Sequence, residues 1–134
     1  VTLKKNQDLA LAESLMKLVH IRHLPVVEEG KLVGLITHRD LLRTQVSSLA
    51  DLDEEEDLKM KRSIRAGDVM TRDVVTAPPD LPIIEAAKVI RRNKFGCLPV
   101  VSDGRLVGIV TEADFLDMLA GFLEDPETYL RAMQ

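Results

Sequence analysis

The sequence predicts an α+β fold: two β-α-β-β-α repeats, packed about a pseudo-twofold axis through their sheets and joined by a helical connector. Three observations predict it. Leu24-Pro25-Val26-Val27 recurs as Leu98-Pro99-Val100-Val101, and Leu32-Val33-Gly34-Leu35-Ile36-Thr37 recurs as Leu106-Val107-Gly108-Ile109-Val110-Thr111. Both recurrences have an offset of 74 residues, which also pairs Val1-Thr2 with Val75-Thr76, Ala12 with Ala86, Gly30 with Gly104, Asp40 with Asp114 and Leu42 with Leu116 without a gap. Within each copy the apolar periodicity alternates between that of strands and that of helices.

Each unit opens with an extended stub, Val1-Thr2 in the first and Val74-Val75-Thr76 in the second, ended by polar turn formers or by Ala77-Pro78-Pro79-Asp80. Leu9, Ala12, Met16 and Val19 then fall three or four apart, as do Ile83, Ala86 and Ile90, so each unit lays one apolar helical stripe on a sheet. These helical stretches are expected to end near Leu24 and Leu98. Two valine- and isoleucine-rich runs follow, joined by Glu28-Glu29-Gly30-Lys31 or Ser102-Asp103-Gly104-Arg105, where glycine supplies the positive φ of a tight hairpin. After Thr37 and Thr111 the pattern is helical again, with Leu41-Leu42 and Phe115-Leu116-Met118-Leu119 as its apolar face. A unit of about 45 residues buries too little apolar surface to stand alone, so the two share a core. Residues 1–134 form one module on this reading: first repeat 1–43, connector 44–68, second repeat 69–124 and a helical tail 125–134. The connector runs from Ser47-Ser48-Leu49 through Asp51, Asp53, Glu54, Glu55, Glu56 and Asp57 to Lys59, Lys61, Arg62 and Arg65. Acid first and base last suits a helix dipole, and the charge run reads as a solvated face.

Composition narrows the functions. The 134 residues carry 18 basic and 22 acidic side chains, a net charge of −4, with no broad positive surface for a nucleic-acid backbone. A single cysteine, Cys97, allows no intrachain disulfide, which suits a cytoplasmic setting; it reads as a small buried hydrophobe rather than a redox switch. No apolar run approaches the length of about 20 residues that a membrane helix needs, and Val1-Thr2-Leu3-Lys4-Lys5 begins no signal peptide. No serine or cysteine nucleophile stands with an evident base and no metal ligands cluster, so no catalytic residue is assigned and the chain reads as a non-enzyme. His20 and His23, three apart, read as surface histidines at a helix end.

The chemistry concentrates in Gly34-Leu35-Ile36-Thr37-His38-Arg39-Asp40 and its copy Gly108-Ile109-Val110-Thr111-Glu112-Ala113-Asp114. A strand end delivers Thr37 or Thr111 into the first turn of a helix, and Asp40 or Asp114 follows three residues on. An ionised carboxylate accepts hydrogen bonds from the vicinal hydroxyls of a ribose, while a threonine hydroxyl and free amides at a helix start suit a phosphate or ribose oxygen. Thr-x-x-Asp before an apolar run is also a capping box, and the two roles are compatible. The units differ in charge: Arg22-His23 precede the first Leu-Pro-Val-Val where Gly96-Cys97 precede the second, and His38-Arg39 stand opposite Glu112-Ala113.

The two Leu-Pro-Val-Val hairpins, the two Gly-x-x-Thr-x-x-Asp segments and Gly67-Asp68-Val69-Met70-Thr71 together resemble a cystathionine-β-synthase (CBS) domain pair, or Bateman module, over nearly the whole chain. The resemblance implies a regulatory module that binds adenosine-containing ligands, AMP, ADP or ATP or a relative, in clefts between the repeats. Occupancy is passed to an effector protein, commonly from a disc-like homodimer. It implies phosphate contacts from Arg22 and His23, with Arg39 as a further candidate. It also implies an adenine slot at Thr2, Leu3, Ile21 and Pro25 in the first unit and at Thr76, Ala77, Phe95 and Pro99 in the second, Phe95 reading alternatively as core. No cofactor is required beyond the regulatory nucleotide. S-adenosylmethionine, nicotinamide dinucleotides and magnesium-linked ligands stay open, as does a structural dimerisation domain with empty clefts.

Overall fold

The structure, a computed structural model, describes residues 1–47, 53–93 and 96–132. In the first repeat the order is β1 (Leu3–Lys4), α1 (Leu9–Leu18), β2 (His23–Glu28), β3 (Lys31–Thr37) and α2 (His38–Ser47). The connector supplies α3 (Glu54–Ser63) and α4 (Ala66–Val69). The second repeat has α5 (Ile83–Asn93), β4 (Cys97–Ser102), β5 (Arg105–Thr111) and α6 (Glu112–Glu124), and α7 (Pro126–Ala132) closes the chain.

The two units join edge to edge in one five-stranded sheet of order β1-β2-β3-β5-β4. Lys31 pairs with Arg105, its own counterpart at offset 74, while Leu32 N–H donates to Gly104 carbonyl (3.3 Å) and Leu106 N–H to Gly30 carbonyl (3.1 Å). These bonds exchange under the repeat, so the pseudo-twofold axis passes beside Lys31 and Arg105. Both hairpins turn with two successive positive φ values, Glu29 (52°) and Gly30 (80°), Asp103 (53°) and Gly104 (79°), the geometry whose twist matches the flanking strands.

In the second repeat the expected opening strand shrinks to an isolated bridge, Ala77 with Val100, where the first repeat pairs both Leu3 with Val26 and Lys4 with Val27. The counterpart of Lys4 is Pro78, which has no N–H to continue the ladder. The first opening strand lies at Leu3–Lys4 rather than Val1-Thr2. The helices of the apolar stripes end at Leu18 and Asn93, short of Leu24 and Leu98. His20 takes a left-handed φ of 54° directly after the first, breaking the helical path.

Each repeat has its own core. Leu3, Leu9, Ala12, Met16, Leu24, Val26, Ile36 and Leu41 are buried in the first together with Ala66 of the connector and Met70 just beyond it; Ala77, Ala86, Ile90 and Leu98 form the second. The connector is bonded along the first repeat: Ala66 N–H donates to Gln7 carbonyl (2.7 Å), Gly67 N–H to Lys5 carbonyl (2.9 Å) and Leu9 N–H to Ile64 carbonyl (3.1 Å). Thr71 and Leu35 exchange two backbone bonds of 2.9 and 3.0 Å. Helix α3 has the acid-first, base-last order read from the sequence, but it is not solvated all round. Lys61 is 4% exposed, held by Asp57 (2.7 Å) and by Glu13 of α1. Ser48, Leu49 and Asp51 of the connector lie outside the described residues.

Candidate functional site

Both Thr-x-x-Asp segments form reciprocal caps. Thr37 N–H and Oγ1–H donate to Asp40 Oδ2 (2.8 and 3.1 Å), and Asp40 N–H donates back to Thr37 Oγ1 (3.3 Å). Thr111 and Asp114 repeat the pattern at 2.7, 3.1 and 3.4 Å. Each threonine hydroxyl is thus engaged within its box, holding a carboxylate at the head of α2 or α6 through Oδ2. Asp40 Oδ1 lies 3.8 Å from Arg43 Nη1.

The two carboxylates open into different cavities. Asp40 lines a cleft of about 590 Å³ between the repeats, walled on one side by Arg22, His23, Thr37, His38 and Arg39 and on the other by Gly96, Cys97 and Glu112. All five first-repeat residues singled out for ribose and phosphate contact therefore meet in one place. Three elements bring them there: the start of β2, the end of β3 and the first turn of α2. His38 N–H donates to Arg22 carbonyl (2.8 Å), tying the two basic segments together, and Glu112 N–H donates to Gly96 carbonyl (3.1 Å) at the equivalent point. Gly96 is needed for this closeness: a Cβ there would overlap the His23 imidazole.

Burial holds the His23 pKa below its ordinary value; Glu112 pulls against that shift and the charge of Arg22 adds to it. Burial likewise pushes the Cys97 thiol up to about 11, so it stays a neutral thiol at the cleft wall. Arg22 and Arg39, both exposed, add fixed positive charge to the same cleft.

Asp114 instead lines a cavity of about 430 Å³ inside the second repeat, among Ala77, Leu81, Ile83, Leu98, Val100, Ile109, Phe115 and Met118. Both volumes fall in the range usual for small-molecule sites. The matching space in the first repeat is shut, with Leu3, Leu9 and Val26 fully buried. Only one of the two cavities thus lies between the repeats.

The adenine-slot residues scatter. Ala77 lines the second cavity and Thr76 is exposed beside it. Pro99 is buried on the other face of β4, because strand side chains alternate; Leu98 and Val100 line the cavity in its place. In the first repeat Leu3 is core, Pro25 is buried in β2, Thr2 is exposed, and Ile21 lines a separate groove between α1 and α2. Phe95 lies outside the described residues. His20 faces the α1–α2 groove and His23 the central cleft, so the pair does not share a helix end. Among the described residues no group of three His, Cys, Asp or Glu side chains could hold a metal ion, and no helix is long and apolar enough to cross a membrane. Residue reading missed Leu98, Val100 and Ile109 as cavity walls, although strand alternation signals them, and missed Cys97 and Glu112 opposite Arg22, which only the fold brings near.

Comparison with known proteins places the chain in a family. The CBS domain profile matches residues 1–47 and 66–121, and the chain belongs to the CBS domain family as a CBS domain pair. A Methanocaldococcus jannaschii protein, MJ1225, is 38% identical over 120 residues, covering 89% of this chain and 39% of MJ1225, so the chain spans about two-fifths of that relative. The structure of a Vibrio cholerae protein assigned to acetoin utilization (AcuB) superposes with a TM-score of 0.79 at 35% identity, covering 95% of this chain and 87% of that one. The CBS domain pair of protein MJ0100, solved with 5′-methylthioadenosine and S-adenosyl-L-methionine, superposes with a TM-score of 0.72 at 30% identity, covering 90% of each chain.

Proposed function

We propose that this chain is a regulatory sensor that binds an adenosine-containing nucleotide, AMP, ADP, ATP or a relative, between its repeats and passes occupancy to a partner without catalysing a reaction. The observation that carries this reading is the central cleft, where Arg22, His23, His38 and Arg39 surround a pre-positioned Asp40. A carboxylate for ribose hydroxyls beside cations for phosphate is the pairing a nucleotide demands. The adenosine ligands of the MJ0100 CBS domain pair, which has the same fold, support the class of ligand. Repeats 1–43 and 69–124 with their connector act as one module, working as a soluble cytoplasmic homodimer.

Isothermal calorimetry with AMP and ATP tests the proposal. The wild type binds saturably with no product formed, and Asp40→Ala weakens binding by about tenfold or more, the effect of losing a charged hydrogen-bond acceptor. Full-strength binding by Asp40→Ala would sink it. A second reading, a structural dimerisation domain with empty clefts, is favoured by the apolar face of α5 and α6, where Ile84 is 61%, Leu116 66% and Leu123 69% exposed. Sedimentation showing a dimer, together with no thermal stabilisation by any adenosine compound, would select that reading.

A further inference from the structure

We propose that Glu112, reaching from the second repeat into the central cleft, is a specificity-determining residue that limits how many phosphates the bound nucleotide carries, holding the cleft toward AMP and against ATP. The inference rests on the nucleotide reading above and deepens it from the class of ligand to the number of its phosphates.

Contacts between the repeats fix the order of groups across the cleft. His23 pairs with Thr37 in the β2–β3 ladder and so stands beside the Thr37–Asp40 box. Its imidazole also lies against Gly96 of the second repeat, where an added Cβ would overlap it. The Gly96 carbonyl in turn accepts the Glu112 N–H (3.1 Å), which puts the first residue of α6 next along the same line. A ribose held at Asp40 with its first phosphate at Arg22 and His23 therefore sends each further phosphate toward the opposite wall, where Glu112 stands.

The charge at that wall is inverted. Offset 74 pairs His38 with Glu112, so the position that begins α2 with a base begins α6 with an acid. Among the described residues lining the cleft, Arg22, Arg39 and Arg43 carry fixed positive charge, and Asp40 and Glu112 are the two acids. Asp40 is bound to Thr37, whereas Glu112 acts across the cleft: burial holds the His23 pKa down and the Glu112 charge draws it back up. Without ligand, Glu112 is a counter-ion to these cations. Once phosphates occupy them it becomes a like charge, and its repulsion grows with each phosphate brought nearer. A repulsive group lets a site discriminate between ligands that share every favourable contact. A glutamate at a helix start also suits the helix dipole, but that role is indifferent to the ligand.

Calorimetry of the whole chain with AMP, ADP and ATP in metal-free buffer, where no divalent cation screens the phosphates, tests the assignment. Glu112→Gln is expected to strengthen binding in order of phosphate number, by about twofold for AMP and about tenfold for ATP, and Glu112→Lys to widen that gap. Asp117→Asn removes the same charge from an exposed position of α6 outside the cleft lining, and should change each affinity by less than about twofold because water and salt screen it. Saturable binding by each variant reports that it has folded. A purely structural role for Glu112 would not grade the response, since a misplaced helix start weakens all three nucleotides alike. Equal changes for the three, a loss of ATP affinity in Glu112→Gln, or an equal gain from Asp117→Asn would each overturn the assignment and leave nucleotide binding at Asp40 standing. A wild type that binds none of the three would remove the nucleotide reading and this inference together.

Discussion

The first and second repeats share a chain path and a sequence pattern, yet one is closed and the other open. Leu9 is fully buried and its counterpart Ile83 is 53% exposed; Val26 is fully buried and Val100 is half-buried. The difference comes from the junction between the connector and the second repeat. Residues 64–71 run along the first repeat, inserting Ala66 and Met70 into its core and bonding Thr71 to the side of β3 away from β2 at Leu35. Among the described residues nothing takes the equivalent place on β5 at Ile109. Two units of one sequence pattern therefore differ in burial and in cavities where residues 64–71 pack on the first.

Three experiments break or sharpen that contrast. The largest effect is expected at the glycine pair. A Cβ at Gly34 would overlap Met70 and come to 3.0 Å from the Thr71 carbonyl, whereas at Gly108 it would find its nearest neighbour, Val100, at 3.9 Å. Gly34→Val should cost about 2 to 3 kcal/mol in urea unfolding, the upper part of the usual range for overpacking. Gly108→Val should cost under about 0.5 kcal/mol. Equal losses would mean that the connector does not close the first repeat.

A smaller effect is expected at the clasp that pins α3 to α1. Lys61→Ala leaves Glu13 and Asp57 facing one another and should cost about 1 to 2 kcal/mol, less than for a fully buried pair because both acids keep partial exposure to water. Burial alone would raise the Glu13 pKa and lower that of Lys61. The hydrogen bonds outweigh burial in both, so Glu13 sits below its ordinary value, with bonds from Lys17 and Lys61, and Lys61 sits above its own, with bonds to Asp57 and Glu13. The Glu13 contribution is thus fully present above the unfolded carboxylate value and is lost as pH falls through its lowered folded value. The Lys61 contribution is present below the unfolded amine value and is lost as pH rises through its raised folded value. Glu13→Gln should flatten the acid limb of stability against pH.

The smallest effect is expected at His23, where the central cleft differs from its counterpart at Cys97. The folded pKa is depressed, so His23 stabilises the free protein above the ordinary imidazole range and that contribution is lost as pH falls toward the folded value. A bound polyphosphate favours the protonated ring, so ATP affinity should rise as pH drops through the same window, read by calorimetry at stepped pH. His23→Gln should remove that rise; an unchanged pH profile would show that His23 does not face the phosphates.

Hairpin turns, helix faces and the Thr–Asp boxes were legible in sequence because each depends on residues a few positions apart: glycine at a positive φ, apolar side chains three or four apart, a threonine three before an aspartate. The adenine-slot residues were less legible. Leu3 and Pro25 match the strand pattern, but which face of a strand meets a cavity depends on what covers the other side, and the repeat alone does not say.

The amino-acid sequence by itself determined the two units, their 74-residue register and the charge contrast between Arg22-His23 and Gly96-Cys97, since these are properties of the order of residues. Only the tertiary structure decided that Asp40 opens between the repeats and Asp114 into the second, that Lys61 of an apparently solvated helix is buried, and that Glu112 faces His23. Those outcomes depend on where residues 64–71 pack and on two hairpins meeting at Lys31 and Arg105, and contacts between segments so distant along the chain are set by the competition for buried surface rather than by local pattern.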